Sequence, residues 1–435
     1  MKSQKVIFNL YNFAWKIALP LLKKNSVFKE SYQLRVSSDT FKKTDIWIHG
    51  ASGGEAYIAI EILKKLNPST PLKILYTATT LQGLQTMESF CKSSGLHPNI
   101  NYQITWFPFD GPKSMEKIVL KTSPSLMVIL ETELWPGHLY ILKKHKIKTL
   151  IINARLSSKS YKWYLRTKTL WQQINPDNIL ATSQKDAERY KKIFAENTIV
   201  DTMPNIKFDA IPAIQNNPDD TFSIESFFTA DIPLSILASI RKEEEIHLPE
   251  IIRQLITNFP NQIIAIFPKH IQRIKALSDL LDNLALELPL PWQLRSKINS
   301  PVDKTTIILW DTFGELKKAY ALAVSAFVGG SLEPLGGQNF LEPVICGTAT
   351  VTGPFLNSFK WVNREIFETN IVHKAQNAME VCDFMVEKLK TPPDRKKLQK
   401  KAVEFIRKNQ GGTAMAVKLI NDQLHHQVHA LKLDS

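Results

Sequence analysis

The feature that most constrains this chain is a repeated alternation. Short apolar runs give way to helix-patterned stretches, and the pattern persists from about residue 45 to residue 372. Apolar runs bounded by turn residues suit strands buried on both faces, and such strands belong to parallel sheets covered by helices. The first series of strands is expected at Asp45–His49, Leu72–Thr77, Tyr102–Phe107, Ser125–Leu130, Thr149–Asn153 and Asn178–Ala181. Helices are expected between them, including Glu55–Leu66, Pro136–His145 and Ser158–Ile174. The rhythm breaks at "MPNIKFDAIPAIQNNPDDTF" (Met203–Phe222), rich in Pro, Asn and Asp, which reads as an interdomain linker. A second series follows at Leu234–Ser239, Ile263–Phe267, Thr306–Trp310, Ser325–Val328, Ala349–Thr352 and Asn370–Val372. The tail, Arg395–Leu424, reads mostly as helix. The expected fold is α/β, with two doubly wound halves and ligands bound at the strand C-termini, in a cleft between the halves. A chain of 435 residues is long enough for two such domains of about 200 residues each.

Charge narrows the partners. Lys and Arg number 55 against 41 Asp and Glu, a formal +14, which suits nucleic acid, anionic lipid or a phosphorylated substrate. The chain shows none of the short modules that read base edges or stack bases, so nucleic acid is not an expected partner. Cys91, Cys346 and Cys382 are widely spaced, which argues against a disulfide framework or a zinc site and for a reducing compartment. At the N-terminus, "VIFNLYNFAWKIALPLL" (Val6–Leu22) is apolar but interrupted by Asn9, Asn12, Lys16 and Pro20. Spanning a bilayer takes about 20 predominantly apolar residues. Aromatic residues beside lysines fit an interfacial anchor better, with Trp15 and Lys16 in membrane contact. A second basic aromatic stretch, Ser157–Gln173, sets Lys159, Lys162 and Arg166 on one helical face and Trp163, Leu170 and Trp171 on another. Lys162 and Arg166 are the expected membrane contacts there.

Three clusters carry candidate chemistry. In "TDIWIHGASGGEAYIAIEILKKL" (Thr44–Leu66), the glycines fit neither a dinucleotide loop nor a P-loop. What remains is a small-residue turn, Ser52, Gly53 and Gly54 among it, with Glu55 opening a helix. Glu55 there suits either the helix dipole or a reaction. In "ILETELWPGHL", Glu131 and Glu133 end a strand, and alternation sends both to one face. They are candidates for chemistry, or for a salt bridge with Arg155 after the next strand. In Trp310–Pro343, Gly329-Gly330-Ser331 and Gly336-Gly337 flank a strand-to-helix junction, with a helix expected near Gln338-Asn339 and Glu342 in its first turn. Such a junction suits a phosphate, and a first-turn carboxylate suits a ribose hydroxyl. "FPKH" brings Pro268, Lys269 and His270 to another strand end in the same half.

In this order and spacing the clusters resemble the Kdo transferases of lipopolysaccharide synthesis, which move 3-deoxy-D-manno-octulosonic acid (Kdo) from CMP-Kdo onto a lipid A precursor. The resemblance rests on "WIHGASGGE", "ETELWPG", "INARLS", "NIKFD", "FPKH", "DTFGEL" and "FVGGSLEPLGGQNFLEP". It implies a GT-B fold: an N-terminal membrane anchor (residues 1–30), an acceptor-binding domain (31–208), a CMP-Kdo-binding domain (209–410) and a terminal helix (411–435) packing back across the cleft. It also implies inverting transfer without a metal ion or other cofactor, at the cytoplasmic face of the bacterial inner membrane. Glu55 would be the general base, and Glu131 or Glu133 the second carboxylate. Ser52, Gly53, Gly54 and Arg155 would meet the acceptor. Pro268, Lys269, His270, Gly329, Gly330, Ser331, Gly336, Gly337, Asn339 and Glu342 would meet CMP. Departures from the family pattern include Gly53 for Val, Gln338 for His, "PKH" for "PRH", and the segment "ASIRKEEE" (Ala238–Glu245). The alternatives are a GT-B enzyme using another nucleotide sugar, such as a UDP-sugar, with a lipid acceptor, and a non-catalytic nucleic-acid-binding protein.

Overall fold

A computed structural model describes residues 2–93, 95–211, 224–228, 232–288, 290–302 and 305–433. The chain forms two compact units, Met1–Ala210 with Asn409–Ser435, and Ile211–Lys408. In the first unit the described strands are β1 (Ile46–His49), β2 (Leu72–Ala78), β3 (Ile100–Trp106), β4 (Leu126–Leu130), β5 (Lys148–Ala154), β6 (Asn178–Ala181) and β7 (Ile199–Thr202). They pair in parallel in the order β3-β2-β1-β4-β5-β6-β7. Every residue of β1, β4 and β6 is buried, as expected of central strands covered on both faces. β7, with a single buried residue, Val200, carries too little apolar signal to be expected from sequence.

The second unit repeats the plan. Its described strands are β8 (Leu234–Ile240), β9 (Ile263–Pro268), β10 (Trp292–Leu294), β11 (Thr306–Leu309), β12 (Ser325–Val328), β13 (Ala349–Thr352) and β14 (Val372–Lys374). The order is β10-β11-β9-β8-β12-β13-β14, again parallel. In both sheets the connection reverses direction beside the first strand, between β1 and β4 and between β8 and β12. That reversal point is where doubly wound sheets open a crevice for ligands. The last strand begins two residues later than expected, because Asn370 takes a left-handed conformation (φ 55°) and turns the chain.

The expected linker divides at its own motif. Ile206 and Phe208 of "NIKFD" are buried in the first unit, in a short 3₁₀ turn at Ile206–Phe208. Asn153, at the end of β5, accepts from the backbone N–H of Ile206 through Oδ1. Asp209 accepts from the N–H groups of Gly411 and Thr413 and from the Thr413 hydroxyl, at 2.6–2.7 Å, and so caps the helix Gly412–Leu433. Residues 212–223, including Asp219 and Asp220, lie outside the described residues. The tail is two helices, Arg395–Lys408 and Gly412–Leu433, parted at Gly411, whose φ is 107°. Gly412 permits close approach: a Cβ there would lie 2.1 Å from the Pro204 carbonyl oxygen. Ala416 and Ile420 of the final helix are fully buried with Ile58, Ile62 and Met203, in the core of the first unit.

The N-terminal helix, Lys2–Lys24, lies on the first unit by one face. The Phe8 ring stacks on Tyr140 at 3.9 Å, the Tyr11 hydroxyl donates to Asp110 at 2.9 Å, and Asn12 accepts from the N–H of Lys113. Trp15, expected at the membrane, is half-buried and packs against Phe109 and beside Gly111. The large apolar residues exposed on this helix are instead Val6, Ile7, Leu10, Phe13, Ile17 and Leu21, and all but Ile7 recur at helical spacing on the outer face. Among the described residues no helix is long and apolar enough to cross a membrane. The expected helix Ser158–Ile174 breaks at Thr167 into Ser158–Arg166 and Lys168–Gln173. Trp163 and Trp171 still meet edge to face, with centroids 6.3 Å apart, but Trp171 is buried while Trp163 is exposed beside Lys162 and Arg166.

Candidate active site

At the reversal point of the first sheet, β1 ends at His49 and runs through Gly50-Ala51-Ser52 into the helix Gly53–Lys65. Glu55, in its first turn, accepts from the backbone N–H of Ser52 at 2.9 Å and from the Ser52 hydroxyl, both through Oε2. These two bonds fix the carboxylate at the helix start and suit a helix-opening acid. The backbone of Gly54 borders a cavity of about 180 Å³ lined by Tyr57, Ile58, Ile206, Lys207 and Ala210. A groove of about 610 Å³ shares Tyr57 and Ala210 and runs between the helices Gly53–Lys65 and Leu81–Lys92, past Gln82, Gln85 and Phe90.

Glu131 and Glu133 are not on one face. Glu131 takes a left-handed conformation (φ 53°), so the strand alternation ends there. Its side chain is ion-paired with Lys207 at 2.7 Å and lies 3.6 Å from Arg155, so two cations neutralise it. Arg155 therefore stands beside Glu131, as the sequence allowed. Glu133 turns toward β1, accepting from the Trp135 indole N–H at 3.1 Å and facing His49 Nε2 at 3.9 Å. Lys207 was not expected in the site. Its signal was a lone lysine between the buried Ile206 and Phe208.

At the reversal point of the second sheet, the loop after β12 is already occupied by a protein carboxylate. Glu244, in the "ASIRKEEE" segment after β8, is buried and accepts from the N–H groups of Gly330 (2.5 Å), Ser331 (2.8 Å) and Leu332 (2.9 Å). A run of N–H groups of this kind suits an anion, and here the anion is internal. Gly330 and Ser331 thus hold Glu244 rather than forming an open phosphate cradle, and the Gly329 N–H is taken by the Ala238 carbonyl. A Cβ at Gly329 would lie 2.8 Å from Glu244 Oε2. The Gly337 N–H donates to the Gly330 carbonyl, and Ser358 N–H donates to Gly336, so this glycine pair closes a turn. The following helix is Leu341–Ile345, later than expected. Asn339 Oδ1 accepts from the Leu341 N–H, and Asn339 Nδ2 donates to Glu342 at 2.8 Å. Burial pushes the Glu342 carboxyl up, opposed by the Asn339 bond and by Lys269 and Lys317. Lys269, Asn339 and Glu342 are therefore brought into one neighbourhood. Pro268 ends β9, and Lys269 and His270 are exposed beyond it. Among the described residues no group of three or more His, Cys, Asp or Glu is placed to hold a metal ion.

Two doubly wound units, each with polar side chains gathered at its sheet's reversal point, form the architecture of the GT-B class. A solved glycosyltransferase from Rickettsia africae ESF-5 shares the fold, with a TM-score of 0.55 at 14% identity, covering 88% of this chain and 99% of its own. Residues 26–210 match the family model described as 3-deoxy-D-manno-octulosonic-acid transferase (kdotransferase). A 3-deoxy-D-manno-octulosonic acid transferase from Haemophilus influenzae is 28% identical over 393 residues, 88% of each chain. The C-terminal CMP-Kdo binding domain of WaaA from Acinetobacter baumannii is 30% identical over 41% of this chain and 90% of its own, with a TM-score of 0.36. The chain belongs to the Kdo transferase family.

Proposed function

We propose that the protein transfers Kdo from CMP-Kdo onto a lipid A precursor, with Glu55 as general base. The observation that carries this reading is the placement of Glu55 just after β1, in the first turn of a helix whose Gly54, Tyr57 and Ile58 border a cavity shared with Lys207. The acceptor oxygen attacks the anomeric carbon of Kdo as its proton passes to the Glu55 carboxylate. The bond to CMP breaks on the opposite side, and CMP leaves with the electron pair. Both bonds from Ser52 fall on Oε2, so Oε1 is the oxygen turned to this work. Lys207, held by Glu131, supplies positive charge beside an anionic acceptor. Lys269, Asn339 and Glu342 hold the nucleotide, and no metal ion takes part.

Membrane docking joins two surfaces of the first unit. The outer stripe Val6, Leu10, Phe13, Ile17 and Leu21 rests in the interface, flanked by Lys5, Lys16, Lys23 and Lys24. The exposed Lys159, Lys162, Trp163 and Arg166 add a second, basic contact with anionic lipid at the cytoplasmic face of the inner membrane.

The test incubates purified protein with a lipid A precursor and either CMP-Kdo or a UDP-sugar, with and without EDTA. Product mass should rise by Kdo with CMP-Kdo alone, at the same rate with the chelator. Transfer from the UDP-sugar would assign the protein a different donor, and loss of activity in EDTA would restore a metal to the mechanism.

A further inference from the structure

We infer that the groove between the helices Gly53–Lys65 and Leu81–Lys92 seats the sugar portion of the acceptor, with Tyr57 and Gln82 as specificity-determining contacts. This rests on the reading of the first unit as the acceptor side. The groove holds about 610 Å³, within the roughly 300 to 1,000 Å³ common for small-molecule sites. Its walls set two rings, Tyr57 and Phe90, among the polar side chains of Gln82, Gln85, Thr86 and Ser89. Tyr57 is 58% exposed and also lines the smaller cavity beside Lys207. Gln82 and Gln85 are exposed, each offering one amide acceptor and two amide donors. Lys64 lies 5.8 Å from the centre of the Phe90 ring and is ion-paired with Glu61 at 2.7 Å. A sugar ring presents hydroxyls at its edge and C–H bonds on its faces. Amides suit the first and an aromatic ring the second. An acyl chain would instead cover these amides, the hydroxyls and the Glu61–Lys64 pair without returning a hydrogen bond.

The groove is fastened to the turn that carries Glu55. The Ala51 carbonyl accepts from the N–H groups of Thr79 and Thr80 at 3.1 and 3.0 Å, and from both threonine hydroxyls. The Thr80 hydroxyl in turn accepts from the Gly83 N–H, in the first turn of Leu81–Lys92. The starts of the two helices are thereby joined through one carbonyl. Gly53 completes the junction. A Cβ there would lie 3.1 Å from the Gln82 side chain, so Gln82 lies against space that the missing side chain leaves. The amide of Gln82 therefore marks the end of the groove next to the small-residue turn, and Tyr57 follows Glu55 by two residues on the facing helix. An acceptor sugar bonded by Gln82 and resting on Tyr57 is held at that end.

The test first measures binding apart from transfer. Lipid A precursor stripped of its acyl chains is titrated calorimetrically into the full chain without CMP-Kdo. Tyr57→Ala and Gln82→Ala should each weaken its affinity by about threefold to tenfold, while CMP affinity holds. Both side chains are exposed, so both variants are expected to fold. Gly53→Val, which fills the space beside Gln82, should weaken binding in the parent protein and add nothing in the Gln82→Ala background. A further loss there overturns the pairing of Gly53 with Gln82. With CMP-Kdo and the acylated precursor, Tyr57→Ala and Gln82→Ala should raise KM for the lipid and not for CMP-Kdo. Unmoved affinity in both variants, or an equal loss of affinity for CMP, overturns the proposal. So does a parent protein that binds the acylated precursor but not the stripped one, because the acyl chains are then what it recognises. A parent protein that binds the stripped precursor yet transfers no Kdo would defeat the proposed reaction and leave the groove standing.

Discussion

At Ser52 and Glu55 the helix-start bonds and the proposed proton transfer draw on one carboxylate. A glutamine caps a helix in the same way as a glutamate but lacks the basic lone pair. Glu55→Gln should therefore keep the unfolding midpoint and lower kcat by about 10²- to 10⁴-fold. Turnover near that of the parent protein would leave Glu55 a capping residue alone. At Glu244 the roles reverse, because the side chain touches no proposed substrate atom yet satisfies three buried N–H groups. Each group left unpaired costs roughly 1 to 3 kcal/mol. Glu244→Ala should weaken CMP binding at least about tenfold in calorimetric titration and lower stability, with lipid binding intact. Unchanged CMP affinity would show that the loop holds its shape without the carboxylate. Neither Glu244 nor Lys207 was assigned a place in the site from sequence. A run of three glutamates reads as a solvated face until the fold shows that one of them points inward. Glu55 was legible because a small-residue turn after an apolar run leaves one acid at a fixed place.

At the scale of elements, the central strands were legible because burial on both faces leaves near-continuous apolar runs, as in β4, "LMVIL". Edge strands escape that rule. β10 is three half-buried residues, "WQL", with no run to recognise. The break at Thr167 escaped for another reason: no glycine or proline marks it, and only the buried Trp171, bonded through its indole to the Thr167 hydroxyl, fixes the turn. The consequence is a short helix whose basic residues and Trp163 all face outward. Each basic side chain near an anionic bilayer contributes on the order of 1 kcal/mol. Changing Lys159, Lys162 and Arg166 together to Ser should lower affinity for phosphatidylglycerol vesicles by up to about a hundredfold at low salt, and raise KM for the lipid but not for CMP-Kdo. Vesicle binding that does not change would remove this helix from the membrane contact.

For the molecule as a whole, pH acts through buried charge. Asp110 is fully buried, accepts from the N–H groups of Gly137 and His138 and from Tyr11 of the N-terminal helix, and is pushed up to about 7 by desolvation. A carboxyl raised in the folded state is held there more tightly than in the unfolded chain. Its contribution to stability is complete below about pH 4 and fades as pH rises toward 7. His138 has the opposite slope, since its lowered folded pKa makes stability rise with pH through the ordinary histidine range. Comparison with Asp110→Asn separates the two. In urea unfolding, the parent protein should lose on the order of a few kcal/mol relative to the variant between pH 4 and 7.5. A constant difference across that range would show that Asp110 is ionised throughout.

The final helix, Gly412–Leu433, closes the core of the first unit some two hundred residues after that unit's last strand. On the ribosome the chain grows at roughly 5 to 20 residues per second. The first sheet therefore waits about 10 to 40 s with the seats of Ala416 and Ile420 empty, while the whole second unit is made and folds. During that interval the nascent chain offers chaperones an apolar face that the finished protein conceals. Release before residue 412 would leave a polypeptide with every strand in place and one side of its first half still open.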